Sequence, residues 1–92
     1  MTAEQKKLLN LIIINYGNLS QEDMAIEECS ELIKAILKHR RGKATIADLI
    51  DEIADVEIMI EQLKIIYACD GYVQNVIQYK IDRQLERMRK EE

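Results

Sequence analysis

The chain has 92 residues, a net charge of −4, two cysteines, three glycines and no proline. That is length for one domain, residues 1–92, with a small core that is marginal alone. The acidic balance excludes general nucleic-acid binding. Two cysteines are too few for a disulfide framework.

No leader or spanning segment is expected. The longest aliphatic run, Leu11-Ile12-Ile13-Ile14, is far short of the about 20 residues that cross a bilayer. A reducing, cytoplasmic setting follows as the expectation. Cys29 and Cys69 fall in apolar helical segments without a CxxC partner and read as small buried hydrophobes. Abundant hydrophobics with scarce turn formers favour an all-α fold of long helices and short connections.

Four helices are predicted. The first spans about Ala3 to Asn15, and Gly17 and Asn18 end it. Ser20 reads as the next N-cap, with Asp23 three residues on, and the second helix runs to about Arg40. Arg40-Arg41-Gly42-Lys43 breaks it: cations suit a helix C-terminus, and Gly42 can take a left-handed cap. Thr45 begins the third helix with Asp48 at the capping-box position, and that helix is expected to reach Cys69. Asp70-Gly71 is the next break. The fourth helix spans about Tyr72 to Arg89, and Glu91-Glu92 should fray. The long middle helices should form an antiparallel hairpin at the heart of a four-helix bundle.

Helical wheels at about 100° per residue pick out the unusual residues. On the third helix Leu49, Ile53, Val56, Met59, Ile60, Leu63 and Ile66 make one apolar stripe. Glu52 lies inside it and Asp55 at its edge. On the second, Met24, Ala25, Leu32, Ala35 and Ile36 make the stripe, with Glu28 inside and Glu31 at the edge. Each helix therefore carries an acid on its buried face and another three residues on, on neighbouring positions. Facing helices would gather four carboxylates. Burying like charges costs several kcal/mol per ion unless a cation neutralises them, and hard oxygen ligands suit Mg²⁺ or Mn²⁺. The plainer reading is a solvated charged face, or neutralisation by Lys or Arg from another helix. A di-iron site would need Glu-x-x-His elements, which are absent, and zinc is poorly served by one histidine. That histidine, His39, reads as a helix-terminal cation.

Glu27-Glu28-Cys29-Ser30-Glu31 followed by Glu52-Ile53-Ala54-Asp55 resembles the EExxE…ExxD signature of the MazG-like all-α nucleotide pyrophosphohydrolases. This group includes dimeric dUTPases, dCTP pyrophosphatases and phosphoribosyl-ATP pyrophosphatase. The resemblance covers roughly Leu19 to Met88, and Asp51-Glu52-Ile53-Ala54-Asp55-Val56 is its most MazG-like stretch. It implies that Glu28, Glu31, Glu52 and Asp55 hold Mg²⁺, with Mn²⁺ a possible substitute. Glu27 or Glu31 would act on the attacking water. It also implies hydrolysis of a (deoxy)nucleoside triphosphate to the monophosphate and pyrophosphate, in a homodimer or tetramer. Phosphate contacts are expected from Lys80, Arg83 and Arg87, which form a stripe on the fourth helix, and from Lys34 and Lys38 beyond the acids; a solvated basic face is the bland alternative.

Two other readings stand beside this one. One is a phosphoribosyl-ATP pyrophosphatase-like activity. The other is a non-catalytic helical dimer that binds a protein partner or senses nucleotides. Tyr16, Tyr67, Tyr72 and Tyr79, the only aromatics, read as core-edge residues and fix no base preference. Ile26, Ile33 and Leu37 lie on a face of the second helix away from the acids. A second apolar face on so small a chain predicts a partner surface, hence a homodimer at least.

Overall fold

A computed structural model describes residues 1–91; Glu92, half of the expected frayed end, lies outside the described residues. The chain is all-helical, with α1 (Ala3–Tyr16), α2 (Asn18–Arg40), α3 (Ile46–Ile66) and α4 (Asp70–Glu91), and no strand occurs among the described residues. Glu91 closes α4 in helical conformation.

Local chemistry sets most of the boundaries. Thr2 starts α1 with a capping box: Gln5 N–H donates to Thr2 Oγ1 at 3.1 Å, and Thr2 N–H donates to Gln5 Oε1 at 2.9 Å. Thr45 and Asp48 do the same for α3, at 3.2 and 2.9 Å, as expected from the sequence. Ser20 does not cap α2. The chain turns on Gly17 alone, at φ 92°, and α2 begins at Asn18 without a side-chain cap. One glycine outside the right-handed region suffices to separate the helices, which leaves Ser20 inside the first turn.

The end of α3 also differs from expectation. It stops at Ile66, and the break falls on Tyr67–Cys69, so that Asp70 and Gly71 open α4. Ala68 takes a left-handed φ of 50°. Its N–H reaches Ile65 C=O at 3.2 Å, and Cys69 N–H reaches Lys64 C=O at 3.1 Å. These paired bonds are a Schellman closure. The end of α2 closes identically around Gly42 at φ 70°, with Gly42 N–H to His39 C=O at 3.0 Å and Lys43 N–H to Lys38 C=O at 2.9 Å. Asp70, now in the first turn of α4, sits where a negative charge suits the helix dipole.

The hairpin of α2 and α3 is the heart of the fold, and α1 packs across one end of it. Leu9 and Ile13, one turn apart on α1, join Ala25, Ala35, Val56 and Met59 in the buried hydrophobic set of the described residues. Polar residues share that interior. Gln21 and Gln62 are buried, Gln62 at 2% exposure and with its Oε1 unpaired. Glu61 is also buried and bridges Lys6 of α1 (3.6 Å) and Lys64 of α3 (3.5 Å), and Lys64 reaches Asp70 at 3.6 Å. Tyr67 O–H donates to Glu22, tying the end of α3 to the start of α2.

Helix α4 does not complete the bundle within the chain. It packs only against α3 and buries no residue. The shape is accordingly drawn out, 51 × 38 × 22 Å, with a radius of gyration of 16.2 Å, against about 12 Å for a compact chain of this length. The accessible surface is 7188 Å², against about 5,500 Å² for a monomeric protein of this mass.

Two groups of residues lie differently from the sequence expectation. Cys29 is exposed and Cys69 half-buried, because Cys29 points to the outer flank of α2. Ile53 and Ile60 are largely exposed at 43% and 45%. The α3 stripe is wider than one facing helix can cover, so its flank stays open.

Candidate functional site

Midway along the hairpin, Glu28 of α2 faces Glu52 and Asp55 of α3. One carboxylate oxygen from each lies within 4.8 Å of the others, and all three residues are half-buried. The cause is the one the wheels identify: Glu28 and Glu52 occupy positions whose neighbours at helical spacing, Ala25, Ala35, Val56 and Met59, are buried. The backbone carries the carboxylates into the seam with the core.

The electrostatics follow from that placement. The Glu28 carboxyl titrates above its ordinary 4.5, pushed first by burial, then by the charge and hydrogen bonding of Asp55, then by Glu52 and Glu27. Glu52 is raised as well, by burial first and then by Asp55, Glu31 and Asp51. Like charges in a partly desolvated place favour the protonated form. Among the described residues no Lys, Arg or His forms an ion pair with Glu28, Glu52 or Asp55. Glu52 Oε2 is out of solvent and has no hydrogen-bond partner. Neutralisation by a basic side chain, the plainer reading, is therefore not what these three acids receive.

Other expected site residues divide. Glu31 belongs to the neighbourhood, since its charge acts on Glu52, but it lies outside the close trio and is paired with Lys34 at 3.4 Å. Glu27 is exposed and acts on Glu28 by charge alone. Lys34 and Lys38 lie with Glu31 and Glu52 on a cavity of about 260 Å³, which Ala35, Lys43, Ala44 and Asp48 complete. Lys80, Arg83 and Arg87 are exposed on α4; none of them lines that cavity. Lys80 instead borders an apolar hollow with Tyr72, Val73, Val76 and Ile77, and Arg83 stacks over Tyr79 at 5.6 Å. His39 is exposed in the last turn of α2, beside Lys38 and Arg40.

Lys43 and Asp48 were missed by the sequence reading. The signal was available: a basic turn closed by a glycine cap, followed directly by a capping box, folds both residues back over the end of the hairpin. Asp48 titrates below its ordinary value, chiefly through its hydrogen bonds with Thr45 and then through the charge of Lys38.

The flank of α2 away from this cavity carries an open apolar groove of about 710 Å³, with Leu19, Ile26, Ile33 and Cys29 on α2, Leu63 on α3 and Tyr67 just beyond it. Ile26 and Ile33 are 71% and 61% exposed, so the second apolar face expected on α2 is present and uncovered. Among the described residues no helix is long and apolar enough to cross a membrane. Comparison with protein-family models, curated proteins and solved structures finds no match.

Proposed function

We propose that the chain is a divalent-metal-dependent pyrophosphohydrolase of the MazG-like kind, converting a (deoxy)nucleoside triphosphate to the monophosphate and pyrophosphate. One observation carries the reading. Three carboxylates from two facing helices converge within 4.8 Å, with a buried oxygen of Glu52 left unpaired. The donor set is hard oxygen throughout, which suits Mg²⁺ or Mn²⁺.

Glu28, Glu52 and Asp55 would hold the ion, with Glu31 beside them. An ion there would supply positive charge to the phosphate oxygens and to the attacking water. Glu31, outside the close trio and paired with Lys34 at 3.4 Å, would take the proton of the water that attacks the α-phosphorus. Glu27, solvated next to Glu28, is the other candidate for that proton. Lys34 and Lys38 meet the phosphates from the same chain.

The uncovered faces support a homodimer or tetramer. The groove along Ile26 and Ile33 and the unburied stripe of Ile77, Ile81, Leu85 and Met88 on α4 are apolar surface that a second copy would cover. In such an assembly Lys80, Arg83 and Arg87 would be contributed across subunits. The same faces favour the second reading, a non-catalytic interaction module.

A nucleotide panel with separate detection of pyrophosphate and orthophosphate decides between them. The enzyme releases pyrophosphate as its primary product, only with added Mg²⁺ or Mn²⁺. Orthophosphate alone, or no turnover with any nucleotide, overturns the proposal.

A further inference from the structure

The cavity at the open end of the hairpin has two chemically distinct ends. Glu31 and Glu52 line it at the acidic trio; Lys34, Lys38 and Lys43 line it around the α2–α3 turn. We propose that Lys38 and Lys43 form a clamp for the departing diphosphate end of the substrate, built into the turn of the same chain. This rests on the metal-dependent reading above.

The turn brings the two lysines together through its backbone. The Schellman bond from Lys43 N–H to Lys38 C=O, 2.9 Å long, fixes the residues side by side although five positions separate them. Gly42 supplies the left-handed step that this closure requires. Ala44 and the first turn of α3 then carry the chain back over the cavity. Lys34 is engaged by Glu31, whereas neither Lys38 nor Lys43 forms an ion pair among the described residues. Their ammonium groups are the available cations of this cavity. Asp48, its remaining acid, is committed to the amide of Thr45 at 2.9 Å.

The charges on the lining balance: Glu31, Asp48 and Glu52 against Lys34, Lys38 and Lys43. Glu28 and Asp55 of the trio add two further negative charges; a divalent ion there cancels them, so anion binding in the cavity depends on the metal. The diphosphate then spans the cavity, one end towards the acids and the other on the turn. Lysine serves as a compact point charge for such a group, with three donors on a flexible stem.

The test uses inorganic pyrophosphate as the probe and calorimetry on the full chain, with and without Mn²⁺. The native chain binds Mn²⁺ alone, and pyrophosphate only with Mn²⁺ present. Lys43→Ala and Lys38→Ala each weaken the pyrophosphate step on the order of tenfold, as loss of a charged hydrogen bond does, and leave the Mn²⁺ step unchanged. Lys43→Arg, which keeps the charge, retains most of the affinity. Both lysines are exposed, so the variants fold. Unchanged pyrophosphate affinity in Lys43→Ala and Lys38→Ala overturns the clamp, as does metal-independent binding of equal strength. Failure of the native chain to bind Mn²⁺ at all defeats the metal-site reading instead, and the two failures are read in separate titrations.

Discussion

Helices α3 and α4 are almost equal in length, 21 and 22 residues, and both carry an apolar stripe with charges beside it. Their fates differ. On α3 the stripe meets α2 and α1, burying Val56 and Met59 and drawing Glu52 and Asp55 into the seam. On α4 the stripe of Ile77, Ile81, Leu85 and Met88 stays 43–57% exposed. Amphipathic periodicity states that a face must be covered; it does not say by what. The acids of α3 are held half-buried in the seam, while the basic residues of α4 stay solvated.

Removing the acid with a buried, unpaired oxygen should give the largest effect. Glu52→Gln should lower pyrophosphate release by at least about a hundredfold, as loss of preorganised charge at a reacting centre does. Far-ultraviolet circular dichroism should stay native. Retained turnover would show that the trio is a structural accident of the hairpin.

The next test compares truncations on the two helices. Met59→Ala should cost about 2–4 kcal/mol in denaturant unfolding. Leu85→Ala on α4 should cost under about 0.5 kcal/mol in dilute, monomeric protein. If the Leu85 variant becomes the more damaging as protein concentration rises, a second copy covers α4 and supplies what α3 finds at home.

The pH response separates the acids of the seam from those at helix ends. Glu28 and Glu52 titrate above their ordinary 4.5 in the folded chain, so the folded state holds more protons than the unfolded one just above that value. Stability from this pair should therefore fall as pH rises from about 4.5 toward neutrality. Asp48 has the opposite sign: its depressed value contributes stability that is lost as pH falls below its ordinary 3.8. Added Mg²⁺ should raise the melting temperature at neutral pH and flatten the decline, since a ligand of the folded state alone stabilises it. Melting curves at several pH values check both signs.

Much of the site was legible in the sequence because it depends on phase within single helices. Glu28, Glu52 and Asp55 follow from counting around the wheel, and the Thr45–Asp48 capping box from residue types alone. What was not legible depends on conformations or partners outside one helix. Ala68 adopts a left-handed turn that composition assigns to the neighbouring glycine, so the break was expected at Asp70-Gly71. Lys43 reaches the cavity only because the turn closes backward. Gln62 and Glu61 are buried polar residues, Glu61 bridged by Lys6 of α1, which no wheel of α3 reveals.

The two Schellman turns give the smallest and most local comparison. Ala68→Gly should stabilise by about 1 kcal/mol, and Gly42→Ala should destabilise by about the same, since the left-handed region disfavours any Cβ. No neighbouring atom crowds a Cβ at Gly42, so the backbone term alone is read. Thermal melts of the pair with opposite signs would confirm that one turn is relaxed and the other held under strain.

Lys64 places one ammonium between Glu61, which also grips Lys6 from α1, and Asp70 at the head of α4. The four charges run in series, Lys6–Glu61–Lys64–Asp70, and link α1 to α4 across α3. Lys64→Met would release Asp70 at the head of α4 while the Lys6–Glu61 bridge to α1 stays in place.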